Sequence, residues 1–214
     1  MPKRKFNFRL SIKRFFNRFF RKKKKLALGI YGPTNAGKTT LANRICMDWL
    51  GEELGTVSHI PHETRKIQSK ENVVIESEDG RKLVINLIDT PGIATKIDYE
   101  DFRKYGIRGK KAKERAKEAT QGIIEAIKWL DKMDVVLAVM DSTKSPFNQV
   151  NLTILGNLEA RKIPVIIVAN KIDMKKADVE RIKKAFPQYE VVGISAKKNM
   201  NIDKLYKKMF EVAK

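Results

Sequence analysis

Apolar positions along this 214-residue chain follow two alternating patterns. Short, nearly unbroken apolar runs at Leu26–Tyr31, Val73–Glu76, Leu83–Ile88, Val135–Met140, Val165–Ala169 and Val191–Ile194 predict strands. Between them, apolar residues three and four apart predict helices over Thr39–Leu50, Lys110–Lys132, Gln149–Arg161, Val179–Phe186 and Asn201–Ala213. The first helix carries Leu41, Ile45 and Trp49 on one stripe, and the second turns Ala116, Ala119, Ile123, Ile127 and Leu130 inward. Asp79-Gly80 marks a tight hairpin between the second and third strands. Gly51–Gln68 and Ile93–Gly109 keep neither period and read as loops. Strands that are apolar throughout are buried on both faces, and their alternation with helices predicts an α/β fold. Its sheet is mostly parallel and six-stranded, with helices on both faces and one antiparallel pair at the hairpin.

Residues 1–25 follow a different pattern. Phe8, Ile12, Phe15, Phe16, Phe19 and Phe20 share one helical face, with Arg14, Arg18 and Arg21 opposite, so a basic amphipathic N-terminal helix is expected. This arm holds 12 Lys and Arg and no Asp or Glu, so most of the net charge of +20 belongs to it. Two targets fit a basic segment with an aromatic face: an anionic membrane surface, and RNA such as ribosomal RNA, whose phosphates meet lysines and whose bases stack on rings. A third reading docks the Phe face on the globular part. The expected division is residues 1–25 as arm and residues 26–214 as the globular domain. The single Cys46 excludes an internal disulfide framework and reads as a small core residue. There is no 18-residue apolar run and no cleavable signal pattern, so a cytoplasmic protein is expected, peripheral at the inner membrane face if the arm binds lipid.

Polar clusters follow four of the strands. Gly32-Pro33-Thr34-Asn35-Ala36-Gly37-Lys38-Thr39 fits G-x-x-x-x-G-K-[ST] and stands between a strand and a helix, the setting of a phosphate-binding loop. Its backbone N–H groups and the positive helix end can wrap a phosphate. Gly32 and Gly37 let the backbone approach, Lys38 brings a point charge, and the Thr39 hydroxyl can ligate magnesium. Asp89-Thr90-Pro91-Gly92 follows the third strand, Asn170-Lys171-Ile172-Asp173 the fifth and Ser195-Ala196-Lys197 the sixth. Alone, each of these has an ordinary reading as a turn or a helix cap. In an open α/β sheet, however, ligands bind beyond the carboxyl ends of the strands, where one crevice could collect all four clusters.

These residues resemble the translation-factor-related guanine-nucleotide-binding proteins over Leu26–Lys214. Within them the chain looks most like the Era/Der/MnmE-type branch, in particular an archaeal Era-like GTPase. The resemblance implies a Ras-like P-loop GTPase domain that binds GTP and GDP with magnesium and hydrolyses GTP slowly as a molecular switch. It implies that Gly32, Asn35, Ala36, Gly37, Lys38, Thr39 and Thr40 hold the phosphates, with Thr39 and Asp89 on magnesium. Thr64, in Glu63-Thr64-Arg65, would sense the γ-phosphate and magnesium, and the Gly92 N–H would meet the γ-phosphate. At the base, the Asp173 carboxylate would accept from N1–H and the exocyclic amine of guanine. Adenine lacks the first of these donors and would leave a charge unpaired. Asn170 would orient the base edge, the Lys171 stem would cover its face, and Ser195, Ala196 and Lys197 would bring the Ala196 N–H to O6.

Two positions depart from the Ras-like pattern. Ile93 stands where a glutamine orients the attacking water, and an alkyl chain cannot do so. Asn35, in the resembled branch, helps bind potassium beside the β- and γ-phosphates, which implies potassium-stimulated hydrolysis with Lys38, Asn35, Thr64 and Gly92 as the catalytic set. Bacterial Era proteins carry a C-terminal KH domain that reads ribosomal RNA. This sequence closes with its final helix, so that module is expected to be absent and the basic arm to target the chain in its place. Sequence-specific DNA binding is not expected. Two other functions compete with the switch: a membrane- or RNA-binding module whose nucleotide is structural, and a small kinase, which would leave Asn170–Asp173 and Ser195–Lys197 without a task.

Overall fold

The computed structural model describes residues 25–55, 66–78, 80–93 and 109–212. The expectations for the arm up to residue 24, for Thr64 and for Asp79 lie outside the described residues.

The elements run β1 (Leu26–Tyr31), α1 (Lys38–Leu50), β2 (Gln68–Glu76), β3 (Lys82–Asp89), α2 (Gly109–Trp129), β4 (Val135–Asp141), α3 (Gln149–Ala160), β5 (Val165–Asn170), α4 (Val179–Ala185), β6 (Glu190–Gly193) and α5 (Ile202–Val212). They build one six-stranded sheet in the order β2-β3-β1-β4-β5-β6. Every pairing is parallel except β2 with β3. β1 lies at the centre, with Leu28 opposite Leu87 on one side and Val135 on the other.

Alternate residues of each strand feed two cores, which is why the central strands are apolar throughout. Leu28, Ile30, Leu137, Val139, Ile166 and Val168 pack beneath α1 and α5, against Leu41, Ile45, Leu205 and Met209. Tyr31, Val136, Ala138, Met140, Ile167 and Ala169 pack on the other face beneath α2, α3 and α4, against Ala126, Leu130, Leu158 and Ile182. Cys46 is fully buried in the first core.

Two expectations need correction. β2 begins at Gln68 rather than Val73, because an edge strand exposed on one side continues its ladder through polar residues. A bulge between Lys70 and Val73 puts Asn72 in the left-handed region at φ 58°, and its N–H donates to Asn86 Oδ1 at 3.0 Å. The helix expected to run to Lys132 tightens into a 3-10 turn at Leu130–Lys132. Ile123, Ile127 and Leu130 do face inward, the first two half-buried against the core, and Ala126, which was not among the expected inward residues, is fully buried between them. The side chains of Ala116 and Ala119 lie outside the description.

Candidate functional site

Loops leaving the carboxyl ends of β1, β3, β4, β5 and β6 meet along one crevice. The phosphate-loop segment leaves β1 through Gly32 and enters α1 at Lys38. Gly37 precedes the helix at φ +95°, and a Cβ there would collide with the Asn170 amide nitrogen, so the position needs glycine on both counts. Asn35 is left-handed at φ 60°, a region that Asn tolerates better than most residues. Its side chain is exposed and makes no hydrogen bond among the described residues. Ala36 is buried, while Thr39 and Thr40 are half-buried on the first turn of α1.

Lys38 folds back over the loop, and its Nζ donates to the Pro33 carbonyl at 3.0 Å. It is only 6% exposed, and burial lowers its pKa to about 8, although the Asp89 charge pulls the other way. Asp89 ends β3 fully buried, and burial raises its carboxyl to about 6, opposed by the Thr39 hydroxyl, the Lys38 charge and the Thr90 backbone. Thr39 Oγ1 donates to Asp89 Oδ2 at 2.7 Å, while Asp89 Oδ1 is buried with no hydrogen-bond partner among the described residues. A hydroxyl and a carboxylate with an unused lone pair form a donor set for a hard cation. Among the described residues no group of three His, Cys, Asp or Glu gathers to enclose a metal. The Thr39 hydroxyl and the Asp89 carboxylate are hard oxygen donors of the kind magnesium takes, one or two from protein with water and phosphate completing its shell. Thr90 Oγ1 donates to the Ile30 carbonyl at 2.7 Å and fastens this strand end to β1.

Gly92 lies hard against the phosphate loop: a Cβ on it would come within 2.8 Å of Thr34 Cα. The next residue, Ile93, donates its N–H to the Gly32 carbonyl at 3.1 Å and buries its side chain in the core beneath α2. The alkyl chain at the position of a water-orienting glutamine therefore points into the protein.

On the base side, Asn170 ends β5 and is 97% buried, leaving 3% exposed. Its Nδ2 donates to the Ala36 carbonyl at 2.9 Å, and its Oδ1 accepts from the Ala196 N–H at 3.0 Å. Asn170 thus holds the phosphate loop to the β6–α5 loop. Lys171 is left-handed at φ 72°, and its Nζ pairs with Asp141 Oδ2 at 2.7 Å, which extends its stem along the crevice rim. Asp141 is held below the ordinary carboxylate range. Burial pushes it up, but the Lys171 bond and two bonds from Thr143 outweigh that. Asp173 stands exposed at the rim beyond Lys171, as does Lys197 beyond Ala196, whereas Ser195 is buried and accepts the Lys198 N–H at 3.1 Å.

Asp141, Ser142 and Thr143 were not picked out from the sequence. Ser142 Oγ donates to the Asn170 carbonyl at 2.7 Å. The signal in the sequence is their place, a polar cluster directly after a buried strand, like the other four.

A strand-end crevice of this kind, with a glycine-bounded loop entering a helix, defines a P-loop nucleotide-binding protein. A family model described as 50S ribosome-binding GTPase matches residues 27–171, more than half the chain, and the chain belongs to that family. It is a P-loop GTPase of the Era, Der and MnmE type. It is similar to GTPase Era of Clostridium acetobutylicum, at 31% identity over 185 residues, 84% of this chain and 53% of that protein. It is also similar to the solved structure of Era from Aquifex aeolicus bound to GDP.AlF4-, at 26% identity and TM-score 0.66, covering 89% of this chain and 57% of that one. A structure of Era in complex with MgGDPNP and a segment of 16S ribosomal RNA is similar to the same degree, at 26% identity and TM-score 0.66 over 88% of this chain and 56% of that one. The chain spans about half the length of these relatives. Among the described residues no helix is long and apolar enough to cross a membrane.

Proposed function

We propose that residues 26–214 bind GTP in the crevice, hydrolyse it slowly to GDP and phosphate, and act as a molecular switch that residues 1–25 deliver to its target. The observation that carries this reading is the Asn170 amide, which joins the phosphate loop at Ala36 to the Ala196 loop. One side chain thereby fixes the distance between a phosphate cradle and a base-recognition loop, as a nucleotide of one size requires.

In this account Gly32, Ala36, Gly37, Lys38 and Thr40 hold the phosphates. Thr39 and Asp89 would hold magnesium, which supplies positive charge against the phosphate oxygens when bound. Lys38 neutralises charge that develops as the terminal phosphoryl group leaves, and the Gly92 N–H and Thr64 respond to that group's presence. Asp173 selects guanine, with the Lys171 stem along the base and Asn170 acting through the loops it joins. With Ile93 turned into the core, no side chain at that position orients water. Asn35, exposed on the loop, is the residue through which potassium would stimulate the reaction.

The target we favour for the arm is ribosomal RNA, in keeping with the family's description as 50S ribosome-binding and with the arm's charge. An anionic membrane surface is the alternative. The proposal is tested by phosphate release from GTP and from ATP with magnesium, in potassium and in sodium. We expect release from GTP alone, faster in potassium. Equal release from ATP would sink the guanine assignment, and equal rates in the two salts would remove the role given to Asn35.

A further inference from the structure

Among the described residues, two buried side-chain oxygens in the crevice lack a hydrogen-bond partner, Asp89 Oδ1 and Thr34 Oγ1. The first belongs to the cation site. The Thr34 hydroxyl has no task in the account above, and the sequence motif leaves its position unspecified.

Thr34 sits in the loop just after Pro33, whose carbonyl already accepts from Lys38 Nζ and from the Ala36 N–H. Its Cα, Oγ1 and N lie 2.8, 2.9 and 3.1 Å from where a Cβ on Gly92 would stand. The hydroxyl therefore lies at the seam between the phosphate loop and the Asp89–Gly92 segment. The Ile93 N–H bond to Gly32 and the pairing of Pro33 with Ile93 close the same seam. A buried hydroxyl without a partner is unfavourable, and valine would fill the same shape without it. A ligand that brought an acceptor to the seam would complete it. With the crevice read as a GTP site, the group that would reach this seam is the terminal phosphate, since the loop would cradle the phosphate chain and Gly92 lies against the loop at Thr34.

We propose that the Thr34 hydroxyl is a ligand of the γ-phosphate, donating its O–H to a terminal oxygen of bound GTP. This rests on the reading of the crevice as a GTP site. A bond from a neutral hydroxyl to an anionic oxygen belongs to the stronger class of hydrogen bonds. GDP lacks that oxygen and leaves the hydroxyl unpartnered. Thr34 therefore adds to GTP affinity and not to GDP affinity, and it does so in contact with the segment that responds to the phosphate.

The test uses the full chain carrying Thr34→Val, which keeps the shape and removes the hydroxyl, or Thr34→Ser, which keeps it. GDP and a non-hydrolysable GTP analogue are titrated by calorimetry with magnesium. In Thr34→Val the analogue should bind about tenfold more weakly or worse, with GDP within about twofold of wild type. Thr34→Ser should retain the wild-type ratio of the two affinities. The nucleotide-free Thr34→Val protein should melt at or above the wild-type temperature, since a methyl replaces an unpartnered hydroxyl. An unchanged ratio in Thr34→Val, or a fall in its melting temperature that reveals a structural partner for the hydroxyl, would overturn the assignment of Thr34 alone. A wild-type chain that binds neither nucleotide would overturn the GTP site itself, and the assignment with it.

Discussion

Lys38 and Asp89 are buried charges of opposite sign in one crevice, and burial works against the charged form of both. Lys38, ordinarily near 10.5, releases its proton near 8 in the fold. The unfolded chain therefore binds more protons between those values, and this contribution to stability rises with pH there. Asp89, ordinarily near 3.8, holds its proton to about 6, so its contribution falls as pH rises between those values. Near neutral pH both groups burden the nucleotide-free fold, and phosphate with a divalent cation relieves both. Two outcomes follow. Affinity for magnesium nucleotide, measured by fluorescent-nucleotide titration, should climb through about pH 6, hold, and fall beyond about pH 8. Lys38→Met should abolish nucleotide binding while the nucleotide-free protein melts no lower than wild type, because the stem is kept and a buried charge is removed. At the other end of the crevice, Asp173→Asn exchanges two acceptors for an acceptor and a donor. Preference should then shift from guanine toward xanthine, which presents a carbonyl where guanine has its amine. Competition binding with the two nucleotides reads this directly, and an unchanged guanine preference would show that Asp173 does not contact the base.

Between elements, the strand ends of β1, β5 and β6 are joined through Asn170 rather than through a shared ligand alone. Asn170→Ala leaves the Ala36 carbonyl and the Ala196 N–H without partners in the interior. The expected loss is roughly 2–4 kcal/mol, or about 5–15 °C in melting temperature for a domain of this size. A scanning-calorimetry shift below about 2 °C would mean that water takes over both bonds. This pairing also marks the limit of what the sequence revealed. The order of strands and helices was legible because strands buried on both faces are apolar without interruption and each is followed by a helical period. The polar start of β2 was not, since Gln68–Asn72 owes its strand conformation to the β3 ladder and not to its own side chains. The four strand-end clusters were legible because each is contiguous. The contacts of Asn170 with Ala36, of Lys171 with Asp141 and of Thr34 with Gly92 join segments far apart in the chain, so no local pattern announces them. Nor could spacing alone show that Ile93 turns into the core.

For the molecule as a whole, what matters is how unevenly its charge is placed. The chain carries 45 basic and 25 acidic residues, yet its first 25 residues hold 12 of the basic and none of the acidic ones. A polybasic segment binds RNA by displacing counterions, so affinity falls with salt by about 0.7–0.9 logarithmic units per decade for each phosphate neutralised. A membrane interface uses the same charges but also takes up the apolar face. The two targets therefore separate on two variants of the full chain. Replacing Lys22, Lys23, Lys24 and Lys25 with Gln removes up to four contacts and should reduce the salt slope of ribosomal RNA binding by about 3. Replacing Phe16, Phe19 and Phe20 with Ser should leave that slope unchanged, because it removes no charge, while abolishing co-sedimentation with anionic vesicles if the arm lies in a bilayer. Binding to ribosomal RNA that follows the lysines, with no vesicle binding to lose, would establish the arm as an RNA anchor. Vesicle binding that the serine variant abolishes, with a salt slope for RNA that neither variant alters, would place the switch on a membrane instead.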